Sequence, residues 1–264
     1  METLNRTKAL FLSEKNYWTT LHLFRRKAHF YPNIRRYRAH FEVARLFRKY
    51  LYPGEGKKVL EIGCGNSIWL PYLCKELKYE VYGIDYSEEG IEGARENLIS
   101  AGCSGTLYCL DFFEIDEDFY SHFDSVFSTG VVEHFDKPEE VIRLFAKLLK
   151  KGGVLLTWVP NTSGITMKFQ KMIDKEVYSI HKRFNLKELV EFHRKSGLKV
   201  IDSSYAQFLD FSIINLRIFN LQIQKWISRL ITEFNFPLRF IEQIFGGYTK
   251  SRRWSSSMYI VAVK

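Results

Sequence analysis

The sequence predicts an α/β fold in which a mainly parallel sheet is covered by helices on both faces. Two observations carry this prediction. The middle third of the 264-residue chain alternates short apolar runs with amphipathic stretches of helical periodicity. The run Val154–Val159 is apolar almost throughout, which is typical of a strand with both faces covered. The N-terminal segment and a stretch before the last strand fall outside this alternation, and we expect both to be helical additions.

The predicted strands are short apolar runs that are bounded by turn-forming or acidic residues. In chain order they are Lys58–Ile62, Glu80–Ile84, Thr106–Leu110, Asp124–Phe127, Val154–Val159, Leu198–Ser204 and Met258–Val263.

The predicted helices follow from their start and stop signals. Ser87 is a good N-cap, and the two glutamates after it favour the positive end of a helix dipole. Pro138 stands near the start of another helix, and Gly152 follows its end. The predicted helices are Ile68–Leu77, Glu88–Ser100, Pro138–Leu149 and Leu186–Lys195, the last after the cap residue Asn185.

We divide the chain into a core and two additions. Residues 58–205 and 257–264 form the predicted core, whose last strand lies at the end of the sequence. Residues 1–57 form a basic, aromatic and helical N-terminal cap. Residues 206–256 form an insertion rich in Phe, Ile and Leu with interspersed Arg and Lys, and we expect it to be mostly helical.

The charge is distributed unevenly along the chain. The net charge is +9, made up of +10 over residues 1–58, −10 over 59–161 and +9 over 162–264. This distribution suggests a catalytic core with basic additions.

The four cysteines show no CxxC spacing, so we expect neither a disulfide scaffold nor a zinc module, and a reducing cytoplasm is the default location. No run of about 18 uncharged apolar residues predicts a transmembrane helix, and the first residues lack the apolar run of a signal peptide.

The most informative segment is the glycine turn after the first predicted strand. Glu61 ends the strand, and Gly63 and Gly65 follow it before a helix, so a ligand could lie against the backbone there. A dinucleotide-binding turn would need a third glycine where Ile68 stands. Glu61 would also repel a phosphate. A ligand that lacks phosphates and carries a positive charge fits this turn better.

The segment Val59–Ser67 resembles the first motif of the class I S-adenosylmethionine-dependent methyltransferases. Further elements match in register: Asp85-Tyr86 after the second strand, Asp111-Phe112 after the third, Thr129 after the fourth, and a final strand at the C-terminus. The resemblance implies a Rossmann-like seven-stranded sandwich and the cofactor S-adenosyl-L-methionine. The cofactor-binding residues that it implies are Arg35, Glu61, Gly63, Cys64, Gly65, Asp85, Tyr86, Asp111, Phe112 and Thr129.

The resemblance also implies roles for these residues. Asp85 would accept hydrogen bonds from both ribose hydroxyls, and Asp111 would receive the adenine amino group with Phe112 beside the ring. In relatives an N-terminal aromatic covers the cofactor and an arginine pairs with its carboxylate. Tyr17-Trp18 and Arg35 are the candidates here, and Arg36 or Arg38 would serve the second role almost equally well.

Two histidines are candidate catalytic residues. His134 follows the fourth strand, and it either acts as a general base, lines the cleft or has a structural role. His181 resembles a histidine in the lid segment of small-molecule methyltransferases. Some relatives bind magnesium through an E-x-x-E-H segment, but Gly130 replaces the first of those carboxylates here, so we expect no metal.

The expected function is methyl transfer to oxygen on a small, lipid-like or glycan acceptor. The N/D-P-P-Y segment of many amine-methylating enzymes is absent after the fourth strand. The basic additions also suggest peripheral contact with an anionic membrane, at the inner face of the cell membrane. An RNA methyltransferase is the alternative that would also explain the basic flanks, although the sequence contains no recognisable RNA-binding module. A non-catalytic relative that had lost the cofactor would lack Glu61, Asp85 and Asp111, which are all present. An NAD-dependent enzyme is the least favoured class, because Ile68 stands where its third glycine would be.

Overall fold

A computed structural model describes residues 31–246 and 249–264. The strands of this part of the chain form a single sheet. They are β1 (Lys58–Ile62), β2 (Glu80–Asp85), β3 (Thr106–Cys109), β4 (Phe123–Thr129), β5 (Leu149–Pro160), β6 (Lys199–Phe208) and β7 (Ser255–Val263). Their order across the sheet is β3-β2-β1-β4-β5-β7-β6. This is the predicted seven-stranded architecture.

Helices cover both faces of the sheet. They are α1 (Arg38–Tyr50), α2 (Trp69–Leu77), α3 (Glu88–Ser100), α4 (Pro138–Leu148), α5 (Ile165–Ile173), α6 (Lys175–Ser179), α7 (Leu186–Lys195) and α8 (Leu221–Phe245). The predicted caps are confirmed. The Ser87 hydroxyl accepts a hydrogen bond from the Gly90 amide at the start of α3, and Asn185 forms a capping box with Glu188 at the start of α7.

Strand direction decides where the long connections lie. β1 to β5 run parallel, whereas β7 is antiparallel to both of its neighbours, β5 and β6. β6 therefore runs in the same direction as β1 to β5. As a result, the ends of β1 to β6 and the beginning of β7 lie at one edge of the sheet, which we call the carboxyl edge. The whole connection from β6 to β7, including α8, begins and ends there.

Apolar residues from alternate positions of the strands fill a core on each face of the sheet. Leu60 and Ile62 of β1 contribute to the core on one face, and Val59 contributes to the core on the other. On this second face, α1 is part of the core. The Phe47 ring lies 5.0 Å from Phe127 of β4 and 5.4 Å from Trp69, centroid to centroid. The predicted N-terminal addition is thus packed into the core from α1 onward.

Several boundaries differ from the sequence-based ones. β5 begins at Leu149 instead of Val154, because the Gly152-Gly153 pair continues the strand. β6 continues to Phe208 and β7 begins at Ser255, since Ala206 and Ser257 still pair with one another. The connection between them therefore covers residues 209–254 and not 206–256. It contains the 25-residue helix α8, in agreement with the expected helical content.

Polar contacts at both ends of α1 attach it to distant parts of the chain. Arg38, at the start of α1, donates to the Phe208 carbonyl oxygen at 2.8 Å and forms an ion pair with Glu242 of α8. At the other end of α1, the Asp202 carboxylate of β6 accepts a hydrogen bond from Tyr50 and lies 3.4 Å from Lys49. These contacts fix α1 between the sheet and α8.

No helix among the described residues has the length and hydropathy needed to cross a bilayer.

Candidate functional site

The glycine turn lies at the carboxyl edge and packs closely against its neighbours. The amides of Gly63 and Cys64 donate to the Ile84 carbonyl oxygen at 2.8 and 3.0 Å. Gly63 has a φ of 76°, and a Cβ at this position would lie 2.6 Å from Cγ2 of Val131. Glycine is therefore required at 63 by both conformation and space. Cys64 is fully buried within the turn, where it packs as a small apolar residue.

Glu61 is buried beneath this turn and bonded to Ser67. The Ser67 hydroxyl donates to the Glu61 carboxylate and accepts hydrogen bonds from the amides of Trp69 and Leu70, each at 3.0 Å. Burial raises the pKa of Glu61 to about 8, with a further contribution from the Asp85 charge. The sequence did not single out Ser67 as a partner of Glu61. A serine directly before a helix start was the available signal for its capping role.

Asp85 connects the glycine turn to the start of α3. One of its oxygens, Oδ2, accepts a hydrogen bond from the Gly65 amide at 2.8 Å, and Oδ1 accepts one from the Ser87 amide at 2.9 Å. These two contacts hold the carboxylate at the carboxyl edge beside the glycine turn. The neighbouring Tyr86 is half-buried, and burial raises the pKa of its hydroxyl.

Asp111 and Phe112 follow β3, the neighbour of β2. The Leu110 amide donates to the Asp85 carbonyl oxygen at 3.0 Å, so the ends of the two strands are held side by side. Asp111 caps a short 3₁₀ turn by accepting a hydrogen bond from the Phe113 amide at 3.2 Å. The Phe112 ring packs on Phe113 and on core phenylalanines. Both predicted adenine-site residues thus occupy the same edge as Asp85.

Thr129 ends β4 and leads into the turn that carries His134. The Gly130 amide donates to the Trp158 carbonyl oxygen at 2.9 Å, and Gly130 has a φ of 72°. A 3₁₀ turn over Val132–His134 follows. This turn places the two candidate catalytic histidines together, because the rings of His134 and His181 are 4.6 Å apart.

Backbone carbonyls fix the tautomer of both histidines. Nδ1 of His134 lies 3.0 Å from the Ile180 oxygen, and Nδ1 of His181 lies 2.6 Å from the Val177 oxygen. A carbonyl only accepts, so each Nδ1 carries the hydrogen and each Nε2 is the basic nitrogen. Burial lowers the pKa of both imidazoles, that of His134 to about 3 with His181 contributing. Both rings are therefore neutral at physiological pH.

Glu133 completes this cluster. Its Oε1 lies 3.8 Å from Nε2 of His134, and its buried Oε2 has no hydrogen-bond partner among the described residues. Burial raises the pKa of Glu133 to about 8, so the cluster is uncharged at neutral pH. One ligand atom from each of Glu133, His134 and His181 lies within 4.8 Å of the others, and this donor set could hold a divalent ion. The sequence reasoning considered only the missing carboxylate at 130. His181 is distant from Glu133 and His134 in sequence, so no local motif spacing could assign it to the same cluster.

The three N-terminal arginines have different environments. Arg35 and Arg36 are exposed in the turn before α1. Arg38 is buried and occupied by the Phe208 carbonyl and Glu242, so it serves as an anchor for α8. Arg35 and Arg36 therefore remain the candidates for the cofactor carboxylate. Tyr17-Trp18, the predicted aromatic cover, lies outside the described residues.

A family described as "Methyltransferase domain" matches residues 31–203. The chain belongs to this family, and its fold and glycine turn define it as a class I S-adenosylmethionine-dependent methyltransferase. The cofactor of the family is S-adenosyl-L-methionine, as the sequence predicted.

The chain is similar in sequence to proteins named "Ubiquinone biosynthesis O-methyltransferase". That of Pseudomonas aeruginosa is 28% identical over 155 residues, which cover 56% of this chain and 66% of the relative. That of Pectobacterium atrosepticum is 33% identical over 99 residues, covering 37% of this chain and 40% of the relative. The matched region therefore spans less than two thirds of these relatives.

Solved structures share the fold at low sequence identity. A SAM-dependent methyltransferase from Archaeoglobus fulgidus superposes with a TM-score of 0.56 at 19% identity, covering 92% of this chain and 99% of that one. A putative sarcosine dimethylglycine methyltransferase from Galdieria sulphuraria gives a TM-score of 0.62 at 14% identity, covering 86% of each chain. The predicted fold class is confirmed.

Proposed function

We propose that the protein transfers the methyl group of S-adenosyl-L-methionine to an oxygen of a small, lipid-like or glycan acceptor. The observation that carries this proposal is the hydrogen bond from the Gly65 amide to Asp85, which joins the glycine turn to the end of β2. Asp111, which follows β3, lies on the neighbouring strand connection. The relatives named as O-methyltransferases support oxygen as the acceptor atom.

The acids of the carboxyl edge suit the cofactor. Asp85, which the Gly65 and Ser87 amides hold beside the glycine turn, binds the ribose hydroxyls. Asp111 binds the adenine amino group, and Phe112 lies beside the ring. Bound S-adenosyl-L-methionine supplies an activated methyl group on its positively charged sulfur. Because the donor is already activated, the residues of the site mainly orient the two reactants and exclude water.

The histidine pair is proposed to contact the acceptor. In each ring Nε2 is the nitrogen that can accept a proton from an acceptor hydroxyl, since Nδ1 donates to a backbone carbonyl. His181 is partly exposed, whereas His134 is buried behind it. This arrangement supports His181 as the residue nearer the acceptor, and His134 as the residue that orients the His181 ring.

Peripheral contact with an anionic membrane is proposed for α8. Six of the exposed apolar side chains on this helix recur at intervals of three, four and seven residues, so these six form one stripe. They are Ile223, Trp226, Leu230, Phe234, Ile241 and Ile244. Lys225 and Arg229 are exposed beside the stripe. An apolar stripe flanked by cations suits the surface of an anionic bilayer, where a lipid-like acceptor would be found. The proposed location is the cytoplasmic face of the membrane.

Calorimetry with S-adenosylmethionine, S-adenosylhomocysteine and NAD in parallel tests the cofactor. We expect the first two to bind and NAD to give no signal. Transfer of a radiolabelled methyl group into lipid extracts and polar extracts of the same cells then tests the acceptor, with Asp85→Ala as the inactive control. Label in neither extract, or binding of NAD alone, would contradict the proposal.

A further inference from the structure

A basic pocket with a volume of about 270 Å³ lies at the carboxyl edge, where the chain leaves β5 and where it enters β7. It is lined by Ser163, Ile165, Lys168, Arg252 and Arg253. We propose that this pocket binds an oxyanion, a phosphate or carboxylate group, carried by the methyl acceptor. This inference rests on the proposed function, since it assigns a charge to the acceptor of that reaction.

A buried asparagine fixes the backbone of the pocket. The side-chain amide of Asn161, which is fully buried, donates to the carbonyl oxygens of Arg252 and Ser255, both at 2.8 Å. The Ile165 amide donates to the Arg253 carbonyl at 3.0 Å. A Cβ at Gly164 would lie 2.7 Å from the Ser255 oxygen, so the two segments are in close contact. The two arginines therefore project from a rigid base.

The positive charge of the pocket is not neutralised within the protein. Among the described residues, no carboxylate forms an ion pair with Lys168, Arg252 or Arg253. The Arg253 guanidinium lies over the Trp254 ring, 4.9 Å from its centroid, which orients it. Arg217 of the same connection is different, because Asp174 and Glu176 pair with it. Two guanidinium groups and an ammonium group are suited to bind a phosphate or carboxylate.

The pocket continues into an apolar surface. Ile165 and Lys168 of the pocket share one face of α5 with Phe169 and Met172, since these positions are three, four and seven residues apart. Met172 is 80% exposed. The Phe169 ring lies 5.6 Å from Phe211, which lies 6.0 Å from Phe234 in the α8 stripe. A ligand with an anionic group and an apolar body fits this combination.

The pocket is close enough to the methyl-transfer edge to serve the same ligand. β7 is two strands away from β4, with β5 between them. At roughly 5 Å per strand, the start of β7 lies about 10 Å across the sheet from the end of β4. The pocket and the end of β4 thus share the carboxyl edge.

Direct binding measurements test this pocket without using the reaction. Inorganic phosphate and a short-chain phosphatidic acid are titrated into the wild-type protein and into the double variant Arg252→Gln/Arg253→Gln. We expect the double variant to bind both at least about tenfold more weakly, as the loss of two charge-assisted contacts predicts. Lys168→Gln should show a smaller loss. The matched control is Lys171→Gln, because Lys171 lies on the same helix but over the Tyr178 ring, outside the pocket.

The two probes also distinguish the source of the anionic group. Tighter binding of the short-chain lipid than of phosphate supports a lipid acceptor, and equal binding supports a polar phosphorylated one. The pocket proposal is overturned if neither probe binds the wild-type protein, or if Lys171→Gln weakens binding as much as the double variant does. S-adenosylhomocysteine binding is measured on all variants. If the wild-type protein does not bind S-adenosylhomocysteine, the proposed function is disproved. If it binds S-adenosylhomocysteine but neither anionic probe, only the pocket proposal is disproved.

Discussion

The Asp85 carboxylate has two backbone partners and is 7% exposed, so its charge is held in one orientation beside the glycine turn. Replacing it by alanine removes the acceptor for the ribose hydroxyls and for the Gly65 amide. We expect Asp85→Ala to weaken S-adenosylhomocysteine binding by about 1.5–3 kcal/mol, roughly one to two decades in affinity. Isothermal titration calorimetry measures this change.

Asp85→Asn is the control for this measurement, because it keeps one acceptor oxygen and loses the charge. An intermediate loss is expected for it. Wild-type affinity in Asp85→Ala would show that the cofactor is bound elsewhere.

Glu61 makes stability depend on pH. Its pKa is about 8 in the folded protein and 4.5 in a model peptide, so the folded state holds the proton more tightly. The unfolded state ionises first as pH rises, and stability therefore falls between about pH 4.5 and pH 8. Glu61→Gln removes this titration while an amide can still bond to Ser67. We expect the variant to gain stability relative to the wild type as pH rises through this window, with no further gain above it.

Urea unfolding at several pH values checks this prediction. Glu133, whose pKa is raised to about 8 as well, preserves part of the pH dependence in the variant. Glu191→Gln, at an exposed position of α7, is the matched control. If the free energies of unfolding of Glu61→Gln and the wild type differ by the same amount at every pH, Glu61 does not titrate with a raised pKa.

His134 is expected to affect turnover and not cofactor affinity. If the histidine pair receives or orients the acceptor proton, His134→Ala lowers kcat by about 10²–10⁴. S-adenosylhomocysteine binding should remain nearly unchanged, since the acids that bind the cofactor are untouched. Single-turnover methyl transfer and calorimetry on the same preparation provide the two readings.

The same assay tests whether the reaction needs a metal. Gly130 replaces the first carboxylate of the metal-binding E-x-x-E-H segment, so we expect EDTA to leave the rate unchanged. Inhibition by EDTA that zinc or magnesium reverses would assign the three donors to a metal site. Unaltered turnover of His134→Ala would leave the residue with a structural role.

At the scale of elements, α8 provides a direct test of membrane contact. Trp226 is 63% exposed and Phe234 55% exposed, so replacing both with serine removes apolar surface without opening the core. We expect Trp226→Ser/Phe234→Ser to reduce co-sedimentation with vesicles of anionic phospholipid severalfold, since apolar insertion contributes to interfacial binding. Co-sedimentation across a lipid titration measures the change.

Ile99→Ser is the matched control for α8, because Ile99 is 69% exposed on α3, far along the chain from the stripe. It should sediment with vesicles as the wild type does. Equal losses in both variants would indicate a nonspecific effect of surface hydrophobicity.

Most elements of the core could be predicted because their signals are local. β1 and its glycine turn, the Ser87 cap and the Asn185 capping box each depend on residues within a few positions of one another. Arg38 and Glu242 are separated by 204 positions, and His181 joins His134 across 47, so no spacing rule relates them. The extension of β6 to Phe208 was missed for the same reason, because its pairing partner lies in β7.

At the scale of the whole molecule, charge and apolar surface predict different partners. The basic segments would attract either an anionic membrane or RNA. The exposed apolar side chains on α8 are aliphatic and aromatic in equal number. The aliphatic ones favour the membrane, because surfaces for single-stranded nucleic acid rely on aromatic stacking. We expect binding to anionic vesicles that weakens as salt rises, and no displacement from vesicles by excess RNA. Co-sedimentation at low and high salt, with and without RNA, decides between them. Tight RNA binding without vesicle binding would favour the nucleic-acid alternative.

The reversed direction of β7 has a consequence for how specificity can change in this fold. Because β6 ends where β7 begins, the two ends of the 209–254 connection meet, and the Leu209 amide donates to the Trp254 carbonyl oxygen at 2.9 Å. A segment whose ends are already joined can be exchanged or shortened with little strain on the strands that carry it. The acids proposed to bind the cofactor all follow or belong to strands on the other half of the sheet. Exchange of the 209–254 connection between relatives therefore offers a way to change the acceptor. The half of the sheet that carries the proposed cofactor-binding acids is unaffected by such an exchange.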